Sequence, residues 1–171
     1  MDNKRYYYLA EGECEEKLLK ALKLNPALIH SGEVKKFSVI QDEIPVRKLM
    51  QFAPGSVVVF VFDTDVEETA TLKKNIELLK SLKADLKVFT VEEVLNFEDE
   101  LERSTNVTNV QDFTKSKTVR DFKSDVNKMK ESDFRNALKR HKLDMSKLWS
   151  QKPPKAFKFV TQDGEKIKVH R

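Results

Sequence analysis

One run of residues constrains this chain more than any other. Val57-Val58-Val59-Phe60-Val61-Phe62 sets six β-branched or aromatic side chains in a row, between a Pro54-Gly55 turn and the polar Asp63-Thr64-Asp65. A strand with one wet face alternates apolar and polar residues. An unbroken run suits a strand covered by helices on both faces, as in a parallel sheet. It is also the longest apolar run in the chain, far short of the roughly 18 residues a membrane-spanning helix needs.

Parallel strands require long crossovers, so helices are expected between them. The sequence supplies the alternation. Residues 6–10 read as a first strand, followed by a helix through Leu18, Leu19 and Leu22 that ends before Pro26. Residues 34–40 read as a second strand, and Pro45 opens a short helix through Leu49 and Phe52. After the 57–62 strand, residues 67–82 carry apolar positions at 72, 76, 79 and 82, with acids early and lysines late. Residues 86–89 read as a fourth strand, with Thr90 capping a helix through Val94, Leu95 and Leu101 and Glu93 at capping-box spacing. The expected fold class is α/β: a Rossmannoid parallel sheet of about four strands flanked by helices, with right-handed crossovers.

The character changes near residue 103. STNVTNVQ reads as a polar loop, followed by basic amphipathic helices at about 118–130 and 132–142, the second capped by Ser132. Residues 156–169 alternate, with Asp163-Gly164 at a hairpin turn. The expected organisation is therefore an α/β core over 1–103, which the family resemblance given below would make the catalytic part, and a basic, mainly helical extension over 104–171, packed on the core. Charge divides at the same place: residues 1–103 carry 15 Lys+Arg against 20 Asp+Glu, and residues 104–171 carry 17 against 8. An acidic front and a basic back suit a protein that gathers cations with one part and phosphates with the other. At 171 residues there is no space for a second enzyme or a large barrel. The N-terminal MDNKRYYYLAEGE lacks a signal-peptide core, which predicts a cytoplasmic protein.

With one cysteine and three scattered histidines, neither an internal disulfide nor a Cys/His zinc site is expected. A metal would have to sit on carboxylates, and two acidic clusters follow predicted strands: Glu11-Gly12-Glu13-Cys14-Glu15-Glu16 after the first and Asp63-Thr64-Asp65 after the third. Open α/β sheets bind ligands at the carboxyl ends of their strands. Carboxylates converging there repel one another unless a cation lies between them, and hard oxygen ligands favour Mg²⁺, then Mn²⁺. Glu13 and Glu16 suit the start of a helix. Gly12 would let the chain turn sharply beside Glu11. Tyr6, Tyr7 and Tyr8 read as core, Cys14 has no neighbouring His to activate it, and Trp149 with Pro153-Pro154 is expected to pack the extension onto the sheet.

LAEGECEEKLL followed by VVVFVFDTD resembles the two signatures of the Toprim domain, shared by topoisomerases, DnaG-type primases, OLD-family nucleases and small RloB-like proteins. The likeness spans roughly residues 5–101. It implies Glu11 as metal-proximal acid or general base, and Asp63 and Asp65 as metal ligands. Glu15 would be the extra acid of the OLD-type pattern, and Glu98 a looser ligand candidate. Many Toprim domains carry a glycine just after the Asp-x-Asp, whereas this chain reads Asp65-Val66-Glu67-Glu68. The chain has no space for a topoisomerase's tyrosine-bearing domain or a primase's zinc module, which leaves phosphodiester hydrolysis in DNA or RNA with Mg²⁺ or Mn²⁺. Lys115, Lys117, Arg120 and Lys123 are the candidate phosphate contacts, with Lys117 or Arg120 as the clamp. Relatives often act in phage defence or repair, sometimes beside an ATPase, which here would come from another chain because no P-loop is present; an oligomer is compatible.

Two other readings stand beside this one. Phe62-Asp63-Thr64-Asp65-Val66 also resembles the first motif of haloacid-dehalogenase phosphatases, whose pattern needs a later strand ending in an acidic pair, and no such pair follows a predicted strand here. Alternatively, the acidic cleft binds a metal or nucleotide in a non-catalytic nucleic-acid-binding or regulatory protein.

Overall fold

The computed structural model of the protein describes residues 4–24, 26–82 and 85–169. Strands β1 (Tyr6–Ala10), β2 (Gly32–Lys36), β3 (Val57–Asp63) and β4 (Lys87–Glu93) form one sheet in the order β2-β1-β3-β4. Every pairing is parallel. Helices flank the sheet, giving a Rossmann-like α/β fold: α1 (Glu13–Leu22), α2 (Val46–Leu49), α3 (Ala70–Leu82), α4 (Phe97–Ser104), α5 (Gln111–Thr114), α6 (Val119–Lys128), α7 (Glu131–Arg140) and α8 (Gly164–Ile167), with a 3₁₀ turn at Lys155–Phe157. No helix among the described residues is long and apolar enough to cross a membrane.

The period of two along β3 explains why its run is unbroken. Val57, Val59 and Val61 enter the core on the face covered by α1, α4, α6 and α7, while Val58, Phe60 and Phe62 enter the core on the face covered by α2 and α3. All six are buried. The first core also takes Phe97, Phe113, Phe122, Phe134 and Trp149, so residues from before and after position 103 share one apolar cluster.

Buried polar groups fix the connections. Asn75 in α3 accepts from the Ile44 amide (2.8 Å) and donates to the Val39 and Asp42 carbonyls (2.9 Å each), pinning the loop between β2 and α2. Arg135 in α7 donates to the carbonyls of Ala21, Leu24 and Pro26, satisfying acceptors that the end of α1 leaves open.

Several boundaries differ from the sequence expectation. β2 covers 32–36 rather than 34–40, because the chain leaves the sheet after Phe37 donates its amide to Ala10, and Val39 and Ile40 turn into the second core. α3 begins at Ala70, not 67, and has no acid in its first turn; Glu68 instead accepts from the Ala70 amide (2.7 Å). Of the four expected apolar positions on α3, the side chain of Leu82 lies outside the described residues. β4 runs on to Glu93, so Thr90 is a strand residue; Asn96 caps α4 by accepting from the Asp99 amide (3.0 Å). Thr118 caps α6, whereas α7 starts at Glu131 behind Lys130, so Ser132 lies inside it.

The expected terminal hairpin is replaced by the 3₁₀ turn, a parallel bridge of Gln162 to Thr90 beside β4, and α8. Gly164 serves close approach rather than a hairpin turn: a Cβ there would lie 2.6 Å from the Trp149 Cβ and 2.9 Å from its carbonyl oxygen. Trp149 itself is almost fully buried.

Candidate metal centre

Strand order changes direction between β1 and β3: β2 lies outside β1, and β4 lies outside β3. The crevice at the carboxyl ends of these strands is where such sheets hold ligands. Glu11 closes β1, its amide donating to the Val61 carbonyl (3.0 Å) and one carboxylate oxygen accepting from the Asp63 amide (2.9 Å). The next residue, Gly12, precedes α1, and Glu15 in its first turn folds back, buried, towards the strand ends.

The ladder register sets Asp63 directly opposite Glu93. Thr64 secures that juxtaposition. Its amide donates to the Glu93 carbonyl (3.2 Å), and its hydroxyl accepts from the Leu95 amide (3.0 Å). Leu95 takes a left-handed backbone (φ 72), half exposed, and so holds the β4-to-α4 corner in a conformation that costs a leucine about 1–2 kcal/mol.

Glu15, Asp63 and Glu93 each present an oxygen, and the three oxygens lie within 4.8 Å of one another. Glu93 is wholly buried; Oε1 accepts from the Trp149 indole (3.3 Å), and Oε2 has no hydrogen-bond partner. Asp63 Oδ1 likewise has none. A buried carboxylate oxygen without a donor costs roughly 1–3 kcal/mol, more if charged. The donor set fits a hard cation. Oxygens that all lie within 4.8 Å of one another are close enough for one small divalent ion to be held by all three carboxylates.

The electrostatics agree. Burial pushes the Asp63 carboxyl up to about 8, assisted by the charges of Glu15, Glu11 and Asp65. Burial also raises Glu93 well above the carboxylate range, with Glu15, Asp63 and Glu100 adding to it. Glu15 and Glu11 are raised, again chiefly by burial. The counter-charge comes from Lys123 on α6. Burial works against its ammonium, but Glu98 (3.1 Å) and Asp63 hold it charged.

The candidate residues thus fall into three places. Glu15 and Asp63 converge with Glu93. Glu11 and Glu98 adjoin them: Glu11 is tied to the Asp63 amide, and Glu98 pairs with Lys123 through Oε1 while its Oε2 is buried without a partner. Asp65 is exposed and outside the converging trio, although its charge reaches Glu11 and Asp63.

A cavity of about 360 Å³ opens beside the trio, lined by Glu11, Glu15, Asp63, Lys36, Lys123 and Asn127 among others. Lys115 and Lys117 on the α5-to-α6 turn and Arg120 in the first turn of α6 are exposed and do not line it. Cys14 is buried, and burial pushes its thiol up to about 12, so it is a poor nucleophile. The backbone at Gly12 is extended (φ −129) and open to any residue, but a Cβ there would lie 2.5 Å from Glu15 Oε2, so a larger residue would have to push that carboxylate out of its place.

Glu93 is the site residue the sequence reading missed, because Thr90-Val91-Glu92-Glu93 has capping-box spacing. The available signal was Asn96-Phe97-Glu98-Asp99, a better helix start with its cap six residues after Thr90. Comparison with protein-family models, curated proteins and solved structures finds no match for this chain.

Proposed function

We propose that this chain is a Mg²⁺- or Mn²⁺-dependent nuclease of Toprim type, with its metal held by Glu15, Asp63 and Glu93. The observation that carries the reading is the meeting of three carboxylates at the carboxyl edge of the sheet, one wholly buried with an oxygen that has no donor. It is supported by the Glu11-Gly12 turn after β1 and Asp63-Thr64-Asp65 after β3, the order of the Toprim signatures.

A divalent ion bound there would activate water and offset charge on a phosphodiester. The chain's own residues have separable tasks. Glu93 and Asp63 are fixed by the β3–β4 register and Thr64, so they need little rearrangement. Glu11, anchored by the Asp63 amide, is the nearby base. Lys123, on a flexible stem at the cavity wall, leaves Glu98 for a substrate phosphate.

The test is incubation of labelled single-stranded and duplex DNA and RNA with Mg²⁺, Mn²⁺ or EDTA. Cutting that needs the divalent ion and is lost in Asp63→Asn supports the proposal; equal cutting by that variant refutes it. Binding without cutting under every ion would favour a non-catalytic role.

One observation keeps the phosphatase reading in contention. β4, adjacent to the strand bearing Asp63-Thr64-Asp65, ends in Glu92-Glu93, the acidic pair that motif requires. Turnover of a chromogenic phosphate monoester by the parent, lost in Asp63→Asn, would select it.

A further inference from the structure

We propose that Phe159, Lys73 and the lysines around the 3₁₀ turn form a docking surface for single-stranded nucleic acid. This deepens the nuclease reading and rests on it for its substrate class, while the observations below are independent of the acidic cluster.

Phe159 is 39% exposed, one of few large apolar side chains at the surface. Its segment is nevertheless fixed. Phe157 is fully buried and stacks on Phe62 (5.8 Å between ring centres), and Phe159 stacks on Phe157 (6.4 Å, 20° between planes). Downstream, Thr90 donates its hydroxyl to the Thr161 carbonyl (2.6 Å) and accepts from the Asp163 amide (2.7 Å), and Gln162 donates to the Glu92 carbonyl (2.7 Å). Upstream, Pro153-Pro154 restrict the approach to the turn. An aromatic ring held this way meets a ligand at little conformational cost.

The ring stands among cations. The Lys73 ammonium lies 4.7 Å from the centre of the Phe159 ring. Lys155 opens the 3₁₀ turn and Lys158 caps it, and residues three apart in such a turn share a side. Lys152, Lys155 and Lys158 are exposed. Among the described residues, none of these four ammonium groups is paired with a carboxylate. Unpaired cations around a presented π-face match a strand whose bases are free to stack and whose phosphates lie close by; a duplex hides its base faces. A stacking base displaces the Lys73 ammonium, which moves on its flexible stem to the adjoining phosphate.

The surface also has a useful position. Phe62, on which Phe157 packs, immediately precedes Asp63, so the patch meets the carboxyl end of β3 from the sheet face opposite the acidic trio.

The experiment is fluorescence anisotropy of a labelled oligothymidylate with the full chain in EDTA, where no metal-dependent cutting occurs. Phe159→Ala, and Phe159→Leu as the variant that retains apolar bulk, should each weaken binding about fivefold or more. Lys155→Gln/Lys158→Gln should lower the slope of log K against log salt by about 1.4, from about 0.7 per phosphate contact. Unchanged binding in both Phe159 variants overturns the proposal. So does displacement by polyglutamate as effective as by unlabelled oligothymidylate, which would mark a surface for acidic protein. Failure of the nuclease reading looks different: the parent never cuts, yet binding still depends on Phe159. Failure of the docking surface leaves metal-dependent cutting intact with binding indifferent to Phe159.

Discussion

Replacing Asp63 by asparagine should stabilise the metal-free protein at alkaline pH, although it removes a side chain from the candidate centre. In the folded chain the Asp63 carboxyl is raised from 3.8 to about 8, first by burial and then by Glu15, Glu11 and Asp65. Between about pH 4 and pH 8 the unfolded chain has released this proton while the folded chain holds it, so raising the pH favours unfolding. Four pH units at 1.36 kcal/mol each set a ceiling of about 5 kcal/mol on the loss. Glu15 and Glu93 share protons with Asp63, and removing one charge relieves the others, so about 2–3 kcal/mol is expected for the single substitution. Urea denaturation in EDTA should find the parent and Asp63→Asn similar at pH 4 and the variant more stable at pH 8.5. Saturating Mg²⁺ should remove the advantage, because the ion binds the folded parent. If Asp63→Asn is the less stable protein at pH 8.5 in EDTA, the carboxylates are balanced by something other than a cation and the electrostatic argument fails.

Other outcomes follow from single contacts. Gly12→Ala should leave urea stability within about 1 kcal/mol but weaken Mn²⁺ binding about tenfold, read by calorimetry, because its Cβ displaces Glu15 Oε2 at 2.5 Å. Trp149→Phe keeps an aromatic ring but deletes the indole donor to Glu93 and leaves part of a buried site empty, which together should cost about 2–4 kcal/mol by urea denaturation in EDTA. Gly164→Ala should cost about 1–3 kcal/mol by overpacking against the Trp149 backbone and Cβ, without changing Mn²⁺ affinity per folded molecule.

The sheet was legible where one strand's own chemistry settles it. Six buried side chains in a row leave β3 few alternatives, and the spacing of crossovers then places its parallel neighbours. The two acid-bearing turns after β1 and β3 were legible for the same reason. Glu93 was not, because a strand ending in Thr-Val-Glu-Glu and a helix opening with the same residues look alike locally; the β3–β4 ladder decides between them.

The tail failed similarly. Asp163-Gly164 looks like a turn, but packing against Trp149 is what demands the glycine. Charge counting located a basic segment without resolving its uses: Lys123 faces the acidic cavity, Arg135 caps α1, and Lys168 is buried, donating to the Leu148 carbonyl (2.7 Å). Each is a contact between distant parts of the chain, which periodicity does not encode.

The central claim is that Glu15, Asp63 and Glu93 together hold a divalent cation. It is tested most directly by anomalous scattering from a crystal of the protein grown with Mn²⁺. The account predicts a peak at about 2.1–2.2 Å from an oxygen of each of the three carboxylates. An ordered Mn²⁺ bound instead at Asp65 or elsewhere, with the trio lacking a peak at saturating metal, would contradict it.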